Sequence, residues 1–155
     1  MKEEYVNPFL APAQHVWEQE LHSKLEVVSA ELVAHQFTTE DVTALIGITG
    51  QLQGNVLYGF SQQTAHAAID VMLGPGVEKS DELALSALGE LANMITGNAA
   101  TALAANGYPC SISPPVVIEP VGSRISTLGR PQILVTFKSD VGPLCIRISL
   151  SEVRD

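Results

Sequence analysis

Val42-Thr-Ala-Leu-Ile-Gly-Ile-Thr-Gly50-Gln-Leu52-Gln-Gly54-Asn-Val-Leu-Tyr-Gly-Phe60 reads as two strands folded back on each other. Within it Ala44-Leu45-Ile46-Gly47-Ile48 is almost continuously apolar, which predicts a central strand over Val42–Thr49. Thr49-Gly50-Gln51 supplies the positive-φ residue of a tight hairpin. Leu52–Phe60 returns as its partner, with Gly54 marking a bulge or a place where another backbone comes close. A strand over Leu25–Val33 precedes the pair and leads into it through Thr38-Thr39-Glu40, so three antiparallel strands are expected here.

Working outward, Asn7 is a good N-cap and Pro8 suits the first helical position, which predicts a helix from about Pro8 to Leu21. Phe9, Val16, Trp17 and Leu21 recur on one face of it. On the other side of the hairpin, Ser61 caps a short helix over Gln62–Leu73 that Gly74-Pro75-Gly76 terminates. Ser80 or Asp81 caps a long helix that ends at Asn106-Gly107. Beyond Tyr108-Pro109 the chain returns to strands over Cys110–Ile112, Val116–Ile118, Gln132–Lys138 and Cys145–Leu150, separated by Pro114-Pro115, Gly129-Arg130-Pro131 and Asp140-Val-Gly142-Pro143. Helix and three strands are thus followed by helices and three or so strands, an element order read twice, and no linker divides residues 1–155 into separate domains.

A chain of 155 residues is long enough to build one sizeable core. Its 46% hydrophobic content, 16% charged content and mean hydropathy of +0.21 leave apolar surface for a partner or a second copy to cover. The formal charge of −9 argues against nucleic acid and anionic membranes, whose phosphates are bound through Lys and Arg. Cys110 and Cys145 sit in apolar runs as reduced, buried thiols, with no CxxC. The four histidines never take a metal-ligand spacing, so no metal or cofactor is expected on this chain. There is no signal peptide and no run of transmembrane length, which points to the cytoplasm.

The long helix carries the chemistry. At about 100° per residue, Ser86, Glu90, Asn93 and Gly97 fall in a wedge of roughly 60°, opposite Leu88, Leu91, Ile95, Ala99 and Ala102. The neutral Asn93 carboxamide both donates and accepts, so it can fix the orientation of a water without competing as a nucleophile, while Glu90 can take an ammonium. Hydrolysis of an already reactive phosphoryl group suits such a pair, because there the protein mainly positions water. A plain solvated face fits the spacing as well. Asn98 lies nearer the apolar side and is expected to be a satisfied core amide. Gly89 and Gly97 fit the close approach of another backbone, and Gly97 keeps the stripe open.

Ser86-x-x-x-Glu90-x-x-Asn93, followed some twenty residues later by Pro114 or Pro115, resembles the motif of the CheC/CheX/FliY family of bacterial chemotaxis phosphatases. The likeness extends to Glu4-Tyr-Val-Asn-Pro-Phe-Leu10, Ile46-Gly-Ile-Thr-Gly50 and Gly89–Thr101, and is strongest toward the CheX branch. It implies an α/β (α+β type) fold, CheC-like, in which long helices pack on a mainly antiparallel six-stranded sheet with a pseudo-two-fold repeat of helix plus three strands. It also implies a phosphatase acting on a phosphorylated CheY-like receiver. Asn93 would orient the water that attacks the aspartyl phosphate and Glu90 would pair with the receiver lysine. Ser86, Gly97, Pro114 and Pro115 would contact the partner, and Mg²⁺ would sit on the receiver. A homodimer joined partly through sheet edges is implied as well. The first helix offers Asn7, Gln14 and Glu18 without a Glu-x-x-Asn pairing, so one active site per chain is expected. Two other classes compete: a module that binds and sequesters the phosphorylated receiver without hydrolysing it, and an oligomerising scaffold.

Overall fold

The computed structural model describes residues 1–33, 36–38, 41–78, 81–119, 124–126 and 131–153. Along the chain run α1 (Glu3–Leu21), β1 (Glu26–Val33), β2 (Gln36–Thr38), β3 (Val42–Gly50), β4 (Leu52–Phe60), α2 (Gln62–Leu73) and α3 (Glu82–Ala105). They are followed by β5 (Cys110–Ile112), β6 (Val116–Ile118), β7 (Arg124–Ser126), β8 (Gln132–Lys138) and β9 (Leu144–Glu152). Ser80, and the turn residues Thr39, Glu40, Gly129 and Arg130, lie outside the described residues.

The quoted hairpin forms as expected, with Val42 opposite Phe60 and Ile48 opposite Gly54. Gly50 takes a φ of 118° at the turn. Gly54, with a φ of 152°, lies where a Cβ would run into the Ser149 carbonyl. It marks close approach of the β9 backbone rather than a bulge, since the β4–β9 register runs without a break.

Two expectations about strand order are corrected. The main sheet is antiparallel in the order β1-β8-β9-β4-β3-β5, with β6 also on β3. β3 is thus an interior strand, with β4 on one side and β5 and β6 on the other, but it stands one place from the margin and not at the middle. An unbroken apolar run reports that both faces are covered, and Ala44, Ile46 and Ile48 are buried on one face while Thr43 is buried on the other; it does not report a place in the order. Nor does β1 join the hairpin: it pairs with β8 at the far margin. The corresponding place beside β3 is taken by β5 and β6, one strand's worth of chain broken at Ser113-Pro114-Pro115, where proline supplies no ladder N–H. With this break, expected at Pro114-Pro115, the sheet has seven strands in place of the six that the resemblance implies.

The result is a pseudo-two-fold arrangement about the β4–β9 pair. α1, β1, β3 and β4 make one half and α3, β5 with β6, β8 and β9 the other, and each half lends its first strand to the other half. A separate two-stranded pair, β2 with β7, was not foreseen, being too short to show a period.

The helices bury their apolar faces against the sheet in one core, whose largest fully buried side chains include Trp17, Tyr58, Phe9, Phe60 and Phe137. α2 has the expected bounds: the Ser61 hydroxyl accepts from the Thr64 N–H, and the Asp41 carboxylate accepts from the Gln62 N–H. In α3 the Asp81 carboxylate accepts from the Leu83 N–H, and Asn106 closes the other end. α1 begins at Glu3, not at Pro8 with Asn7 as its cap. Tyr5 and Val6 are buried and draw the first turn onto the core, while Glu3 and Glu4 suit the positive end of the helix dipole. That gain offsets the helical bond lost at Pro8. Among the described residues no helix is long and apolar enough to cross a membrane.

Candidate functional site

α3 buries Ala84, Leu88, Leu91, Ala92, Ile95, Thr96, Ala99 and Leu103 and turns the opposite stripe outward. Ser86 and Glu90 are exposed, and Asn93 and Gly97 are half-buried, in the expected line. Ala102 is only half-buried, and Leu103 closes the apolar face instead. Asn98 is exposed, which corrects its reading as a core amide. It stands about 80° from Glu90, at the edge of the outward arc and short of the buried one.

A buried hydrogen-bond chain sets the rotation of this helix against the sheet. The Thr96 hydroxyl donates to the Ala92 carbonyl at 2.8 Å, and the Tyr58 hydroxyl of β4 is 2.7 Å from the same Thr96 oxygen. With the Thr96 proton committed, Tyr58 is the donor. Burial raises the Tyr58 phenol well above its ordinary range, so it stays protonated. Because Ala92 and Thr96 are held down, Glu90 and Asn93 are held up.

The flank of α3 toward β6 is open. Gly89 is buried, and a Cβ there would stand 3.2 Å from a Val117 methyl carbon and 3.4 Å from Pro115. The close neighbours are thus side chains, not the backbone expected from the sequence. A groove of about 410 Å³ follows, lined by Glu82, Leu85, Ser86, Gly89, Glu90, Pro115 and Val117. The structure so brings Ser86, Glu90 and Pro115 together. Asn93 and Gly97 continue the stripe beyond the groove, and a Cβ on Gly97 would meet nothing within 4 Å. Pro114 is exposed; its carbonyl accepts from the Ser113 hydroxyl, whose oxygen accepts from the Gly47 N–H of β3 at 2.8 Å. Among the described residues neither Glu90 nor Asn93 has a side-chain hydrogen bond or ion pair, so both are uncommitted.

The extended start of α1 reveals what the sequence reading missed. Glu4 and Asn7 stand at the same i, i+3 spacing as Glu90 and Asn93, and both are exposed. The spacing was legible in Glu4-Tyr-Val-Asn7, but a helix started at Pro8 leaves both residues outside it. Unlike Glu90, Glu4 is engaged: the Tyr108 hydroxyl donates to it at 2.9 Å and Lys2 lies 3.6 Å away. That hydrogen bond pushes the Tyr108 phenol up to about 12. The two cysteines are in no disulfide and are half-buried rather than buried, and partial burial raises Cys110.

A pseudo-two-fold antiparallel sheet, with a long helix presenting a polar stripe on its outer side, defines a member of the CheC-like superfamily. Residues 42–138 match the family described as Chemotaxis phosphatase CheX, and the chain belongs to that family. It is 39% identical over 99 residues to the CheY-P phosphatase CheX of Thermotoga maritima, a match that spans 63% of each chain. A CheC-like superfamily protein from Shewanella sp. PV-4 has a similar structure, with a TM-score of 0.87 and 28% identity over 97% of this chain and 99% of that one. The fold is also shared with CheX of Borrelia burgdorferi in a CheX–CheY–BeF3–Mg²⁺ complex, with a TM-score of 0.81 and 24% identity over 96% of this chain and 98% of the other.

Proposed function

We propose that this chain, residues 1–155 acting as one domain, hydrolyses the aspartyl phosphate of a CheY-type response regulator in chemotaxis or a related cytoplasmic two-component pathway. One observation carries the reading: Glu90 and Asn93 stand side by side on a rotationally fixed helix, uncommitted to the rest of the described chain, within the CheX family. The Asn93 carboxamide accepts a hydrogen bond from a water and donates to the phosphoryl group, holding the water in line with the scissile bond. The water oxygen bonds to phosphorus, the bond to the aspartate oxygen breaks, and inorganic phosphate leaves with the water's protons while the carboxylate is restored. Glu90 pairs with the receiver's lysine, and Ser86, Gly97, Pro114 and Pro115 meet the partner around that point. Mg²⁺ belongs to the receiver. The name of the Thermotoga relative supports this substrate, and the Borrelia complex is in keeping with Mg²⁺ on the partner.

The chain acts as a homodimer in this reading. Among the described residues β1 has a neighbour on one side only, and its Val27, Val28 and Leu32 are exposed, so this edge suits strand addition by a second copy.

Decay of a phosphorylated CheY-type receiver, followed with wild type, Asn93→Ala and Glu90→Ala, tests the activity. The wild type shortens the phosphate lifetime and the Asn93 variant does not. Complex formation with an unchanged lifetime would replace catalysis by sequestration.

A further inference from the structure

The outward stripe of α3 is not uniform along its length. Leu83, on the first turn, is 61% exposed. It precedes Glu90 by two helical turns, about 10 Å along nearly the same axial line. Beside it runs the groove walled by Leu85, Pro115 and Val117 over the bare backbone of Gly89. Two carboxylates, Glu82 and Glu90, line the groove and are exposed, and among the described residues no Lys, Arg or His does so. Toward the other end of the helix the stripe holds Gly97, Thr101 and Ala104, with no large side chain. One end therefore offers an apolar anchor beside two carboxylates, and the other offers clearance.

Resting on the phosphatase reading above, we propose that Leu83 and this groove are the specificity-determining dock for the receiver. The matching receiver surface is an apolar side chain flanked by Lys or Arg, lying near its phosphorylation site. The central apolar contact supplies affinity, and the charged rim supplies encounter rate and discrimination. In the reading above a second copy joins at the edge of β1, at the opposite margin of the sheet from β6, which leaves this groove to the receiver. The two roles are divided along one helix: residues 83–89 choose the receiver, and Glu90 and Asn93 act on it.

The test measures steady-state hydrolysis on a purified CheY-type receiver supplied with acetyl phosphate. In parallel, binding of the BeF3-activated receiver is measured in the Asn93→Ala background. Leu83→Asp raises KM and the binding Kd about tenfold, the size of one buried apolar contact, with kcat within about twofold of wild type. Glu82→Lys raises KM and flattens its salt dependence. Asn93→Ala lowers kcat with little change in binding. If Leu83→Asp and Glu82→Lys match wild type in KM and Kd, or lower kcat alone, the dock is overturned while the phosphatase reading stands. A wild-type chain that neither binds the activated receiver nor shortens its phosphate lifetime overturns that reading and the dock with it. Circular dichroism confirms that both exposed substitutions leave the fold in place.

Discussion

α1 and α3 occupy matching places in the two halves of the molecule, and both carry glutamate and asparagine at i, i+3. With Glu4 laid on Glu90 and Asn7 on Asn93, the buried Tyr5, Val6, Phe9, Ala13 and Trp17 fall on the buried Leu91, Ala92, Ile95, Ala99 and Leu103. The surroundings then differ. Glu90 faces solvent beside a glycine flank that opens a groove, and it has no partner in the described chain. Glu4 is held by Tyr108 and Lys2, and the position matching Gly89 is Glu3. Spacing on a helix places two groups side by side; whether they are free for a partner depends on what the rest of the fold brings to them. On α1 Glu4 acts as a clasp between the first turn of the helix and Tyr108 in the loop after α3.

Substituting the two asparagines separates these roles most sharply. Asn93→Ala lowers the rate of receiver dephosphorylation by about a hundredfold or more, the scale on which positioning contributes, with little loss of stability for a half-buried side chain that makes no hydrogen bond within the described chain. Asn7→Ala leaves that rate within about twofold of wild type. Equal losses from the two would mean that both helices act on receivers and would break the comparison.

The lock beneath α3 gives the next largest effect. Thr96→Val leaves the buried Tyr58 hydroxyl without an acceptor and costs about 1–3 kcal/mol, whereas Tyr58→Phe removes donor and demand together and costs about 1 kcal/mol. Urea unfolding of both variants measures the order, and a larger loss for Tyr58→Phe would contradict the assigned donor.

The α1 clasp has a pH signature. The Tyr108 phenol is raised from 10.0 to about 12, chiefly by its hydrogen bond to Glu4. In the unfolded chain it ionises near its ordinary value, so between about pH 10 and 12 the folded state holds a proton that the unfolded state has lost. The stabilisation is full below that window and fades as pH rises through it. Glu4→Gln moves the tyrosinate absorbance transition of Tyr108 back toward 10 and shrinks the alkaline loss of stability. An unmoved transition would show that Glu4 is not the cause.

The smallest effect expected is that of Glu4→Ala on dephosphorylation, within about twofold of wild type in the same decay assay. A large loss there would place α1 in the reaction rather than in the clasp.

What could be read before folding was local. The β3–β4 hairpin, the caps at Ser61 and Asp81, the stops at Gly74 and Asn106, and the stripe of Ser86, Glu90, Asn93 and Gly97 each depend on residues within a turn or two of one another. Periodicity and turn chemistry are written at that range. The start of α1 was misplaced because Asn7-Pro8 is a strong local signal, and only burial of Tyr5 and Val6 in the distant core outweighs it.

The strand order, the exchange of first strands between halves and the commitment of Glu4 were decided by the tertiary structure. Each depends on partners far apart in sequence, such as β1 with β8 or Glu4 with Tyr108, which come together only when the chain closes its core. The sequence by itself determined which groups share a face. The packed fold decided which of those faces is free.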